Sequence, residues 1–210
     1  YRLVSAGPGQ RIANVIGDLT PPDDPVLKRD LDRLATVKSA RAAAAEAYFE
    51  RANEDWGRIR ALHLSEHEVE AAMRDAAGAG PFDLMIDVGV GTGRILEVFA
   101  DRTSESVGID VNHAMLNVAR LNLERAGLTG ASVRKADVSA LPFDDGVADL
   151  VTVHQVLHYL DDPAVAIAEC ARVLKPGGVL LIADFAPHQL EFLKTEHAHR
   201  KLGFSDEEIP

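Results

Sequence analysis

A single cysteine, Cys170, stands in 210 residues. The chain therefore cannot close an internal disulfide or supply a multi-cysteine zinc site, and its expected compartment is the reducing cytoplasm. Basic residues are scarce too: 22 Lys and Arg face 33 Asp and Glu, for a net charge of -11. Phosphate backbones are held by clustered Lys and Arg, so this segment by itself is not expected to bind nucleic acid. No apolar run approaches the roughly 18 residues of a membrane span, and no basic-then-apolar signal pattern opens the chain. It starts on Tyr1 rather than Met, so a piece of a longer protein is expected. What is present is an ordinary globular composition, 47% hydrophobic and 26% charged, enough for one α/β domain plus a smaller attached element. The acidity is uneven, with 11 basic against 13 acidic residues over 1–80 but 11 against 20 over 81–210.

Ile12, Val15, Ile16 and Leu19 recur at i, i+3, i+4 and i+7, which predicts a short amphipathic helix over 10–19. Thr20-Pro21-Pro22-Asp23-Asp24-Pro25 stops that element and opens another, since Pro suits the first helical turn and acids suit its positive end. The next helix is expected to run about 28 residues. Leu27, Leu31, Leu34, Ala45, Tyr48 and Ala52 share one face of it, and neither Gly nor Pro intervenes before Gly57. Such a helix ahead of a compact domain either packs on that domain or pairs with another subunit; its heptads are too imperfect to fix a coiled coil, and a homodimer contact is the favoured expectation. Ser65-Glu66-His67-Glu68 reads as a capping box starting a helix that ends near Gly78. His63 and His67 have the spacing of a zinc helix, but His63 precedes the cap, and His197 and His199, two positions apart, diverge on a helix. No metal site is expected.

From Phe82 onward, short apolar runs alternate with helical stretches, the pattern of an α/β parallel sheet with crossover helices. Strands are predicted at Leu84 to Val88, Ser106 to Asp110, Ser132 to Ala136, Asp149 to Val153 and Val179 to Asp184. Helices are predicted near 93–101, 113–126 and 162–174, the last followed by a Lys175-Pro176-Gly177-Gly178 turn. The chain is thus expected to divide into a helical region over 1–64 and an α/β domain over 65–210.

The first of these strands ends in Asp87-Val88-Gly89-Val90-Gly91-Thr92-Gly93, a glycine loop where an open α/β sheet binds its ligand. Alone it is weak evidence, because a tight strand-to-helix turn is a competing reading. Asp110, about 20 residues on, changes that balance, because an acid at this spacing accepts hydrogen bonds from ribose hydroxyls. Arg94 stands where a nicotinamide fingerprint needs its last Gly, and the Asp87 carboxylate beside the loop would repel a pyrophosphate. A ligand with positive charge near its ribose fits better, such as the amino group and sulfonium of S-adenosylmethionine.

The loop, together with G-I-D-V-N-H-A-M-L, K-A-D-V-S-A-L-P-F, A-D-L-V-T-V-H-Q-V-L-H-Y-L and R-V-L-K-P-G-G-V-L-L-I, resembles class I S-adenosylmethionine-dependent methyltransferases over about 82–185. The resemblance implies a Rossmann-like sheet in the order 3-2-1-4-5, with the family's last two antiparallel strands missing. It implies that Gly89, Gly91 and Gly93 surround the methionine moiety, that Asp87 faces its amino group, and that Asp110, with Val111 beside it, holds the ribose. Met115 would pack on the adenine, which Asp137 and Val138 would read. His154 and Gln155 would lie beside the methionine chain and the transferable methyl group, with His154 the first candidate base and His63 or Tyr48 the next.

A narrower resemblance joins A-E-A-Y-F-E-R, D-W-G-R-I-R-A-L-H and D-F-A-P-H-Q-L-E-F-L-K-T-E-H-A-H-R-K-L-G-F-S-D-E-E to ArsR-type winged-helix regulators fused to a methyltransferase domain. It implies that Tyr1-Arg2-Leu3 ends a wing and that Tyr48, Trp56, Arg60 and His63 lie in a lid over the cofactor. Two functions are then expected in competition. One is methyl transfer to a small-molecule acceptor, yielding S-adenosylhomocysteine. The other is a non-catalytic domain that senses S-adenosylmethionine or S-adenosylhomocysteine for a transcriptional repressor, with DNA bound only by a full-length fusion.

Overall fold

The computed structural model describes residues 11–12, 14–15, 24–37, 40, 65–196, 199–205 and 207–208. Contacts divide the chain into two compact units, 1–41 and 42–210. In the first, 11–12 and 14–15 are helical, inside the predicted 10–19 segment, and a helix spans 25–37. Asp24 caps that helix, its Oδ1 accepting from the amides of Val26 at 2.7 Å and Leu27 at 3.0 Å. Leu27, Leu31 and Leu34 form an apolar stripe that is 37%, 55% and 49% exposed. The later part of the predicted long helix, with Tyr48, lies outside the described residues, as do Tyr1 to Leu3, Trp56, Arg60 and His63.

The second unit opens with α1 (Glu66–Ala77), and the capping box forms. Glu68 N–H donates to Ser65 Oγ at 3.3 Å, and the Glu68 carboxylate accepts the Ser65 amide at 3.2 Å. Five strands follow: β1 (Phe82–Val88), β2 (Thr103–Asp110), β3 (Ala131–Lys135), β4 (Ala148–His154) and β5 (Leu174–Ala183). All pairings are parallel, in the order β3-β2-β1-β4-β5. Between the strands run α2 (Arg94–Val98), α3 (His113–Arg125) and α4 (Pro163–Val173), and α5 (Phe192–Glu196) lies beyond β5.

Alternation along the strands builds two apolar layers. On one face Ile86, Val88, Val107, Ile109, Val151 and Val153 pack with Ala166, Cys170 and Val173 of α4. On the other, Met85 and Leu150 meet Met73 of α1, Ile95 and Leu96 of α2, and Leu116 and Leu123 of α3. β1 is buried on both faces, which is why its sequence reads as a nearly continuous apolar run.

Two elements differ from expectation. The predicted 93–101 helix is only Arg94–Val98: beyond it the backbone tightens into turns, with Ala100 N–H donating to Glu97 O at 3.2 Å and Arg102 N–H to Phe99 O at 2.9 Å, while the Arg74 side chain binds Val98 O and Thr103 Oγ1 donates to Phe99 O at 3.1 Å. The predicted Lys175–Gly178 turn lies inside β5. Ala148 pairs with Leu174 and Leu150 with Val179, so these residues bulge from the ladder opposite Asp149. Lys175 Nζ reaches Asp149 Oδ1 at 2.8 Å and closes the bulge. The segment 199–205 returns to the ends of β4 and β5, with Phe204 N–H donating to Phe185 O at 2.8 Å and Arg200 N–H to His158 O at 2.8 Å.

Candidate cofactor site

The strand order reverses between β1 and β4, and there the carboxyl ends of the strands leave a crevice. The glycine loop follows β1, with the amides of Gly89 and Val90 donating to Ile109 O at 2.7 and 2.9 Å. Its glycines do different work. A Cβ on Gly89 would stand 2.2 Å from Val156 Cγ2, and one on Gly93 would stand 3.3 Å from Ala119 Cβ, so both let the loop pack down on the domain. A Cβ on Gly91 would meet only Gly89 O, at 3.9 Å. Gly91 thus leaves open the surface that a ligand would approach.

Asp110, half-buried at the end of β2, accepts the Gly91 amide through Oδ2 at 3.0 Å and the Asn112 amide through Oδ1 at 2.7 Å. It ties the loop to the next crossover. Asn112 then caps α3, its Oδ1 accepting from Ala114 N–H at 2.9 Å, which sets the half-buried Met115 in the first turn. Val111 between them is 57% exposed. Asp137 is exposed, and its Oδ1 accepts from the Ser139 amide at 2.9 Å and from Ser139 Oγ at 2.7 Å. These bonds hold its carboxyl below the usual range and commit one of its two oxygens to its own turn. Val138 beside it is half-buried against the first apolar layer.

Asp87 is 1% exposed, and its Oδ1 accepts Thr152 Oγ1–H at 2.7 Å. Burial pushes this carboxyl up to about 7, the Thr152 bond opposing and the Asp110 charge adding. A carboxyl so balanced ionises readily when a cation arrives. His154 ends β4 half-buried, and burial lowers its imidazole from the ordinary value against the pull of Asp184 and Glu70. The next residue, Gln155, adopts φ +56° and donates its amide to Ala183 O at 2.7 Å. A non-glycine residue in the left-handed region is uncommon and favours functional loops. His158 is 1% exposed, with Nδ1 2.7 Å from Asp184 Oδ1 and its ring against Tyr159, Phe185 and His199.

The described candidates therefore fall on the loop, β2, α3 and the β3 and β4 ends, while His63 and Tyr48 lie outside the described residues. Sequence reasoning missed Thr152, although it is the one polar residue in the buried run Leu150-Val151-Thr152-Val153. It also missed the partner of Arg94: Nε and Nη2 bind Glu70 of α1 at 2.6 and 2.7 Å, pinning α1 beside the loop.

Residues 86–182 match the family described as "Methyltransferase domain". An uncharacterized 37.1 kDa protein in transposon TN4556 of Streptomyces fradiae is 36% identical over 118 residues, 55% of this chain and 34% of that protein. The ubiquinone/menaquinone biosynthesis C-methyltransferase UbiE of Shewanella sp. (strain ANA-3) is 35% identical over 124 residues, 57% of this chain and 49% of that one. The chain thus spans half or less of these relatives. Among solved structures, YcgJ from Bacillus subtilis superposes with a TM-score of 0.62 at 25% identity, covering 68% of this chain and 64% of that one. SpnF, a cyclase, does so with 0.54 at 27% identity, covering 59% and 46%. Strand order, the glycine loop and the match over residues 86–182 agree in a Rossmann-like methyltransferase fold.

Proposed function

We propose that the chain binds S-adenosylmethionine and transfers its methyl group to a small-molecule acceptor. The observation that carries this reading is the open Gly91 surface flanked by two acids, one buried and one rim carboxylate. That pair of carboxylates fits a cationic adenosine ligand and suits a diphosphate poorly. When bound, the cofactor supplies an electrophilic methyl on a sulfonium, whose sulfur keeps the bonding electron pair as the acceptor forms its new bond to carbon. The chain's residues do the rest. Asp87 answers the ammonium, Asp110 accepts from the ribose hydroxyls, and Met115 and Val138 border the adenine. His154, kept neutral by burial, takes a proton from an acceptor that needs to lose one. Positioning and exclusion of water supply most of the acceleration.

The UbiE relative, a C-methyltransferase of ubiquinone and menaquinone biosynthesis, supports an acceptor that is partly apolar. The A-E-A-Y-F-E-R and D-F-A-P-H-Q-L-E-F-L stretches support a place in an ArsR-type regulator fusion, and the exposed 25–37 stripe supports pairing of two copies. A non-catalytic sensor remains the second reading, since a similar fold need not carry methyl transfer: SpnF is a cyclase.

Calorimetric titration of S-adenosylmethionine and S-adenosylhomocysteine into the parent and Asp110→Ala tests the site. Both ligands are expected to bind the parent, and the variant to bind about tenfold or more weakly, the worth of hydrogen bonds to a charged group. Absence of binding by the parent would return the glycine loop to a structural turn. Binding without methyl transfer to any hydroxylated or aromatic acceptor tried would favour the sensor.

A further inference from the structure

We propose that Asp184, at the end of β5, is a positioning residue for the cofactor site: it locks the segment after β4 so that Val156 supports the glycine loop. This rests on the cofactor reading above. The Asp184 side chain is 3% exposed, and both oxygens are engaged. Oδ2 accepts the Leu157 amide at 2.8 Å, while Oδ1 accepts the Phe185 amide at 2.8 Å and lies 2.7 Å from His158 Nδ1. Phe185 being its own neighbour, the bonds that reach across are those to Leu157 and His158. Burial works to raise this carboxyl, but these donors, His158 foremost, hold it below the usual carboxylate range. Asp184 therefore stays ionised, and His158 Nδ1 carries the proton it shares.

The bonds from the end of β5 fall on either side of Val156. Gln155 N–H is held by Ala183 O, Leu157 N–H and His158 Nδ1 by the Asp184 carboxylate. Between them, the left-handed turn at Gln155 leads into Val156, whose isopropyl group occupies the volume where Gly89 has no Cβ. Gly89 begins the loop whose Gly91 amide is held by Asp110. A path of direct contacts therefore runs from Asp184 through Leu157 and Val156 to the loop, while the Asp184 charge also acts on the His154 imidazole. No neutral residue of the same size reproduces both effects.

Three variants test this with S-adenosylhomocysteine as the probe. Asp184→Asn keeps the volume and removes the charge. His158→Asn can place its amide N–H where Nδ1 stood, whereas His158→Leu cannot. Affinity is expected to fall roughly tenfold or more in Asp184→Asn and His158→Leu, by analogy with other lost charge-assisted bonds, and to recover to near the parent in His158→Asn. An NMR titration of His154 should move to lower pH in Asp184→Asn even without ligand. If Asp184→Asn or His158→Leu does not fold, Val156→Ala, which removes the wedge and no hydrogen bond, is expected to weaken the ligand instead. Folded variants that bind as the parent does, with His154 titrating unchanged, overturn the proposal while leaving the cofactor reading intact. A parent that does not bind the probe overturns the reading itself.

Discussion

Asp87 holds its carboxyl in a setting that no surface acid meets: 1% exposed, one hydroxyl donor from Thr152, and the negative Asp110 close by. Its folded pKa of about 7 lies above the ordinary unfolded value. The protonated form is thus the one the fold favours. Its contribution to stability is fully present below about pH 4 and is lost as pH rises through about 7. Thermal melts from pH 4 to 8 should show this loss in the parent relative to Asp87→Asn, which has no proton to exchange. Equal pH slopes in the two proteins would mean that Asp87 is ionised throughout. Ligand binding should act in the opposite direction, because an ammonium stabilises the carboxylate. S-adenosylhomocysteine binding near pH 6.5 is expected to release a proton from Asp87, seen as a dependence of calorimetric heat on buffer ionisation enthalpy that vanishes in Asp87→Asn. Asp87 was legible in the sequence because an acid next to a glycine loop is a local pattern. Thr152 was not, since its Oγ1 meets Asp87 across 65 positions of chain.

At the scale of elements, α1 is fastened to the loop's helix by charge as well as by packing. Arg94 grips Glu70 with two bonds and Glu97 at 3.2 Å, while Arg74 grips Asp101 at 2.7 and 2.8 Å. Glu70 is 8% exposed, and the Arg94 bond keeps its carboxyl below the usual range. Arg94 is 57% exposed by side chain, so solvent screens much of the pair. Arg94→Ala is expected to cost about 1 kcal/mol, mainly by leaving Glu70 without its partner. Arg94→Lys should recover only part of this, since an ammonium cannot present the planar fork. Denaturant melts of the two variants check the order; no loss in Arg94→Ala would mean that α1 is held by its apolar face alone. The sequence identified Arg94 only as an exception to a nicotinamide pattern. Likewise it read Lys175 to Gly178 as a turn, because periodicity records where a chain bends and not whether a neighbouring strand continues past the bend.

For the whole molecule, Leu27, Leu31 and Leu34 leave a substantially exposed apolar stripe among the described residues of the 1–41 unit. The expected consequence is self-association through the 25–37 helix. Light scattering should give twice the chain mass for the parent and the single-chain mass for Leu31→Glu, which sets a charge in the middle of the stripe. A monomeric parent would remove the dimer from the proposal. The five strands, their parallel arrangement and the glycine loop with Asp87 and Asp110 were determined by the sequence itself, because each rests on spacing within about 20 residues. The tertiary structure alone decided which side chains close around that loop: Thr152 on Asp87, Val156 in the space beside Gly89, Glu70 on Arg94, and Asp184 behind the β4 end. These partners come together only when strands and helices distant in sequence pack side by side, and burial, which shifts Asp87 and His154, exists only once they have done so.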